Sequence, residues 1–246
     1  MARVREIRIY PVKALDPAIV AEARLLASGA LEWDRRFALV DTRGRFVNGK
    51  NRAEVHSIRT AYDLTRGEVA LDGRAYSLRH DGAAIASWFS DRLGEAVEWR
   101  EDTAMGFPDD TESPGPTLVS EASLAIVAKW FALDGKQTRR RFRANIEIAG
   151  LETFGEDRWY GSAIRVGEAR VNGINPCARC VVPSRDALTG AQNAGFQKRF
   201  AELREQHLPV WAEARFFNHF YRFTVNTRIA ASEAGKIIRI GDEVAG

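Results

Sequence analysis

The chain has 246 residues, 45% of them hydrophobic, 28% charged and 10% aromatic. That composition excludes a disordered or collagen-like protein and suffices for one or two buried cores. Lys plus Arg number 36 against 33 Asp plus Glu, a formal net charge of +3, too weak a field to point to nucleic acid.

From the N-terminus, Ile7 and Ile9 alternate with Glu6, Arg8 and Tyr10 until Pro11, the period of a strand. Phe37-Ala38-Leu39-Val40 and Arg45-Phe46-Val47 flank Asp41-Thr42-Arg43-Gly44, a strand–turn–strand pattern. A second hairpin is predicted over Val69–Leu78 around Asp72-Gly73. Ile85, Trp88, Phe89 and Leu93 fall on one helical face that Gly94 terminates. Residues 101–117 are rich in Pro, Gly and Asp and read as a linker, dividing the chain into domains 1–105 and 106–246. Ser120 then reads as an N-cap with Leu124, Val127 and Phe131 on one face, ended by Asp134-Gly135. Strands are predicted around Ile146 and Ile148, Ile164 and Val166, and Ile238 and Ile240, with a helix over Gln192–Gln206. The expected fold class is mainly β (α+β): two β-barrel-like domains with a few packed helices.

Cys177 and Cys180 are the only cysteines. Three residues apart, they cannot staple distant parts of a fold. The segment Met1-Ala2-Arg3-Val4-Arg5-Glu6 lacks an apolar signal core, and no run nears the ~18 apolar residues of a membrane span. The expectation is a cytoplasmic protein that engages neither membrane nor nucleic acid. The segment Pro176-Cys177-Ala178-Arg179-Cys180 admits several chemistries. A structural zinc site needs further ligands from His56, His80, His207 or His219, which show no ligand spacing. A redox dithiol needs a helix N-terminus, and Val181-Val182-Pro183 follows instead. One thiolate could bind a metal held mostly by its own cofactor, or both cysteines could be small buried hydrophobes.

Lys136–Asn145 places five cations within eight residues. It reads as a solvated charged face, or as a strand anchored by Phe142 and Ile146 with Arg141, Arg143 and Asn145 on the other face, suited to a phosphate or heterocycle edge. Asp34-Arg35-Arg36-Phe37 and Pro11-Val12-Lys13 add cations beside predicted strands.

In order along nearly the whole chain, several segments resemble the MOSC-domain family with its N-terminal β-barrel partner. They are Ile9-Tyr10-Pro11-Val12-Lys13, Asp34–Asp41 with Gly44, Leu118–Leu124, Arg141–Ile146, Glu156-Asp157-Arg158-Trp159, the cysteine motif, Asp186–Gly190 and Ile238–Val244. The family includes the mitochondrial amidoxime-reducing component, its bacterial relatives and the C-terminal domain of molybdenum cofactor sulfurase. The resemblance implies a molybdenum cofactor (Mo-molybdopterin) lying between the two domains. By motif position its metal ligand is Cys180. Lys13 and Arg35 match residues holding the pterin phosphate, and Ser120, Arg143, Asn145, Ala178 and Arg179 match other cofactor contacts, Ala178 through its backbone. Ala14 stands where reductase members carry a cofactor-binding Ser, and Phe217-Asn218-His219-Phe220 departs from the family pattern near the substrate pocket.

The function implied is an oxidoreductase that reduces small N-hydroxylated compounds by oxygen transfer to molybdenum, with Cys180 and Asp186 as catalytic residues, Asp186 as proton donor. Asp186 equally suits a turn before Thr189-Gly190. Two cysteines cannot hold an internal iron–sulfur cluster, and no Gly-rich dinucleotide fingerprint is evident, so electrons are expected from a separate donor protein, a flavin- or haem-containing one. No pyridoxal phosphate is expected. The alternative is a non-catalytic carrier of molybdenum cofactor, or of sulfur on Cys180.

Overall fold

A computed structural model describes residues 1–246. Seven strands close into a barrel. Round its wall run Ile146–Ala149, Leu118–Ser120, Arg222–Arg228, Ala169–Ala178, Ala163–Val166, Glu243–Ala245 and Ala2–Ile9, and the last pairs back onto Ile146–Ala149. Closure removes the exposed edges that an open sheet would present. The alternating residues foreseen in the sequence face inward: Ile7, Ile9, Ile146, Ile148, Ile164 and Val166 share one core. Val4 joins them out of phase because the register shifts between Val4 and Glu6, where a bulge resets the alternation.

The second unit is not a closed barrel. Strand Phe37–Asp41 pairs with Val97–Glu101, and Ala61–Asp63, Glu68–Leu71 and Arg74–Ser77 form a three-stranded meander. Helix Gly82–Leu93 buries Ile85 and Phe89 against Phe37, Leu39, Val69 and Leu71. Only one bridge, Val40 to Phe46, closes the first expected hairpin. The chain is α+β, with four α-helices.

The expected division at residues 105 and 106 does not separate the sheets. Strands Ala2–Ile9 and Glu22–Arg24 pair with partners from the second half. The N-terminal segment is thus part of the barrel wall before it enters the smaller unit, which ties the two halves together. No helix is long and apolar enough to cross a membrane.

The strand that one of the two readings placed over Arg141–Ile146 does not form before Ile146. Asp134 caps a helix, Gly135–Phe142, by accepting from Gln137 N at 2.6 Å. The preceding helix, Glu121–Trp130, already stops at its C-cap Phe131, so Asp134-Gly135, expected as its stop, instead starts the next helix. Arg143 closes the helix at φ 53°, and the strand begins only at Ile146. Arg139, Arg140 and Arg141 occupy the last turn, where the negative end of the helix dipole favours cations. They then fan out: Arg139 to Glu147, Arg140 towards Asp16, Arg141 to Pro183 O. Pro183 also opens a short 3-10 turn, Val182–Ser184, rather than extended chain.

Candidate functional site

Three chain segments zip together to build the floor of one cavity. Lys13 N donates to Phe37 O at 2.7 Å, Phe37 N to Pro11 O at 2.9 Å and Arg35 N to Tyr10 O at 2.7 Å. Lys13 and Arg35, 22 positions apart, are therefore held side by side by backbone pairing. The linker then crosses over them: Phe107 N donates to Arg35 O at 2.8 Å and Lys13 Nζ to Phe107 O at 2.8 Å. Gly106 permits that crossing, because a Cβ there would lie 2.7 Å from Asp34 O and 2.8 Å from Arg35 O.

The cavity has a volume of about 350 Å³, in the range of small-molecule and cofactor sites. Lys13, Ala14 and Arg35 line it from the first half, and Arg143, Cys177, Ala178, Arg179 and Cys180 from the second. Ala14, Arg35 and Arg143 all carry positive φ, at 72°, 51° and 53°. Such conformations cost about 1–3 kcal/mol each for non-glycine residues, and they concentrate where function requires a particular geometry.

The cysteine motif reaches the cavity through a defect in the barrel wall. Strand Ala169–Ala178 loses register with Arg222–Arg228 between Pro176 and Ala178. Pro176 cannot donate to the ladder, and the bulge bends the chain so that residues 177–180 leave the wall. Arg179 N then anchors to Tyr221 O at 3.1 Å. The two thiols differ. Arg179 Nη1 donates to Cys177 Sγ at 3.2 Å, while the Cys180 thiol makes no hydrogen bond and only its carbonyl is engaged, by Tyr221 Oη at 3.1 Å. Both are free thiols, half-buried.

The cavity is strongly cationic. Asp109 from the linker meets Lys13 at 2.5 Å and Lys50 at 3.4 Å. Burial lowers the Lys13 pKa, and Asp109 offsets part of that. Burial would likewise lower that of Arg35, but Asp34 and Asp109 outweigh it and the net shift is upward. Arg143 has no carboxylate partner: its Nη1 donates to Leu15 O at 2.8 Å and its guanidinium lies 4.1 Å from the Tyr10 ring centroid. Buried Nε atoms of Arg179 and Arg185 have no partner at all. Unpaired donors on desolvated cations are costly unless an anion or acceptor arrives.

Three expected site residues do not line the cavity. Ser120 is fully buried as the N-cap of helix Glu121–Trp130, and its backbone N–H donates to Glu156 Oε1. Asn145 is buried too, donating to Arg8 O at 3.1 Å and Asp34 Oδ1 at 3.0 Å. It secures the floor from behind, since Asp34 Oδ1 also accepts from Tyr10 N. Asp186 holds a turn through Thr189 and Leu188, and those backbone bonds keep its carboxyl below the usual carboxylate range. It is ionised at neutral pH, 3.7 Å from Arg141 Nη2, and is no ready proton donor. Asp109 and Lys50 were not singled out as site residues from the sequence, and His56 was weighed only as a zinc ligand. Their place in the site depends on contacts such as Lys13–Asp109 that no local pattern encodes.

Residues 1–76 match the model of the MOSC N-terminal beta barrel domain and residues 117–245 that of the MOSC domain. A molybdenum cofactor sulfurase of Oryza sativa subsp. japonica is 26% identical over 230 residues, covering 72% of this chain but 27% of its own. The chain therefore spans about a quarter of that relative. Mitochondrial amidoxime-reducing component 1 of Xenopus laevis is 22% identical over 294 residues, covering 98% of this chain and 81% of its own. The crystal structure of the YUAD protein from Bacillus subtilis covers 99% of this chain and 93% of its own at 11% identity, with a TM-score of 0.42.

Proposed function

This chain belongs to the MOSC domain family, whose members here are associated with molybdenum cofactor, and from that premise we propose that it is a molybdenum-cofactor-binding oxidoreductase acting on N-hydroxylated compounds. The observation that carries the reading is the convergence of Lys13 and Arg35 with Arg143, Arg179 and the free Cys180 thiol on one cavity.

The residues fit a phosphate-bearing pterin. Lys13 and Arg35 offer a terminal phosphate an ammonium and a guanidinium fork. Arg143 and Arg179, with no carboxylate of their own, supply donors for the polar edge of the heterocycle, and the exposed Ala178 leaves its backbone open to close approach. Cys180 would supply the one protein thiolate needed by a metal held mostly by its own cofactor. Asp109 must give way at Lys13 for a phosphate to bind there. When bound, the cofactor supplies a redox metal able to accept oxygen from an N–O group. The overall change, R–NH–OH to R–NH2 and water, consumes two electrons and two protons. The electrons would come from a separate donor protein.

The test is anaerobic reduction of benzamidoxime by cofactor-loaded protein, with dithionite or a flavin- or haem-containing donor as reductant. Benzamidine should form with loaded protein and not with cofactor-free protein. A loaded sample yielding none would overturn the reductase reading. The free Cys180 thiol also suits the carrier reading, which expects bound metal without turnover.

A further inference from the structure

The pterin, held by Lys13, Arg35, Arg143 and Arg179, does not account for all the cations of the cavity. Lys13, Lys50 and Arg35 carry their own carboxylates, Asp109 and Asp34. A further group lines it elsewhere: Arg59, beside His56, from the first half, Arg140 and Arg185 from the second. All four residues line the same cavity. None was matched to a cofactor contact.

This group is short of negative charge. Asp16 is its only carboxylate, shared between Arg59 Nη1 at 3.1 Å and Arg140 Nη2 at 3.8 Å. Arg185 has no carboxylate partner; its Nη1 donates to Gly190 O at 3.0 Å and its buried Nε is unpartnered. Burial holds the His56 pKa below its ordinary value, and the fields of Arg185, Arg143 and Arg59 reinforce this. Arg59 Nη2 donates to His56 O, Gly190, the acceptor of Arg185, packs against Ala53 O close to His56 in sequence, and Arg140 shares Asp16 with Arg59. Like charges gathered beside a low-dielectric wall repel, and an incoming anion relieves that repulsion. Val55, Ile58, Val182 and Ala187 supply apolar wall nearby, suited to the body of an organic ligand.

We propose that Arg59, Arg140 and Arg185 form a subsite for a carboxylate or phosphate carried by the substrate, so that the protein prefers anionic N-hydroxylated compounds to neutral ones. The assignment rests on the reductase reading for the word substrate, but the subsite itself is tested without turnover. A second phosphate belonging to a nucleotide-extended pterin offers the same chemistry, and the experiment separates the two sources.

The first arm compares kcat/KM for benzamidoxime and 4-carboxybenzamidoxime. The carboxylate should raise it about tenfold or more in wild type, and Arg185→Gln or Arg59→Gln should erase that ratio, with Arg185→Lys restoring part of it. The second arm is calorimetric titration of the loaded protein with 4-carbamoylbenzoate and, as the neutral control, benzamide. Only the anion should bind measurably, about tenfold more weakly in Arg185→Gln. If neither amidoxime is reduced yet 4-carbamoylbenzoate binds in this Arg185-dependent way, the subsite stands and the reductase reading falls. If both amidoximes are reduced with equal kcat/KM and the anion does not bind, the subsite is overturned and the reductase reading survives. The third arm oxidises the cofactor released from wild type and Arg185→Gln. A nucleotide recovered from the first and lost from the second would assign the cluster to the cofactor and overturn the proposal. Thermal unfolding of each variant, expected within a few degrees of wild type, shows that it is folded.

Discussion

Cys180→Ala is expected to leave the purified protein essentially without molybdenum, while Cys177→Ala retains it. Cys177 and Cys180 both line the cavity, so position alone does not choose between them. Their hydrogen bonding does. The Cys177 sulfur is already an acceptor for Arg179 at 3.2 Å, whereas the Cys180 sulfur has no competing partner. A thiolate contributes far more to a soft or high-valent metal than any neighbouring nitrogen or oxygen donor present. Neither cysteine belongs to a hydrophobic core, so each alanine should cost little stability and a loss of metal would not be a loss of fold. The measurement is molybdenum per chain by elemental analysis of proteins purified side by side from a host that makes the cofactor. At least a tenfold deficit is expected for Cys180→Ala and near-wild-type content for Cys177→Ala. The reverse pattern would move the ligand to Cys177.

The largest effect on stability is expected at a pair that does not line the cavity. Arg204 projects from helix Phe196–Gln206 into the protein, only 1% exposed. It forms an ion pair with Asp157 and lies 4.0 Å from the Phe154 ring centroid and 5.1 Å from that of Phe217. Asp157 also accepts from Tyr160 Oη at 2.6 Å. Removing one partner of a buried pair strands the other charge, at a cost of about 3–5 kcal/mol. Arg204→Ala should therefore lower the melting temperature by roughly 10 °C in a chain of this size. Replacing both, as Asp157→Leu with Arg204→Met, should recover much of the loss, because two apolar side chains leave no unpaired charge. A single variant within about 1 °C of wild type would show that the pair contributes little.

The barrel strands were legible because Ile7 with Ile9, Ile146 with Ile148 and Ile164 with Val166 alternate at the period that puts one face on the core. Helix Gly82–Leu93 was legible for a matching reason: its apolar stripe ends at Gly94, which adopts φ 67°. What no local pattern carried was pairing at a distance. Strand Ala2–Ile9 joins Ile146–Ala149 across more than 130 residues, so a linker-based division could not foresee that the N-terminus completes the barrel. The strand reading of residues 141–145 failed for a local cause, since Asp134 was read as a stop although it starts a helix and the preceding one ends at Phe131.

Within the site, Lys13, Arg35, Arg143, Ala178, Arg179 and Cys180 were named from sequence and share one cavity. Ser120 and Asn145 were named with them but do not line it: Ser120 caps a helix, and Asn145 supports the site from behind as a clamp on Asp34. Conformation explains part of this. Arg143 reaches the cavity because its left-handed backbone ends the helix there, while Asn145, two residues on, turns into the barrel wall. The second cationic group was invisible for another reason: Arg59, Arg140 and Arg185 come from three separate segments, and only folding brings them to one cavity, where Arg59 and Arg140 share Asp16.

The central claim is that one cavity built from both halves of the chain holds a molybdenum cofactor. Its most direct test is to quantify molybdenum and oxidised pterin together in wild-type protein purified from a cofactor-producing host. The account predicts about one of each per chain. Absence of both from folded wild-type protein would contradict it.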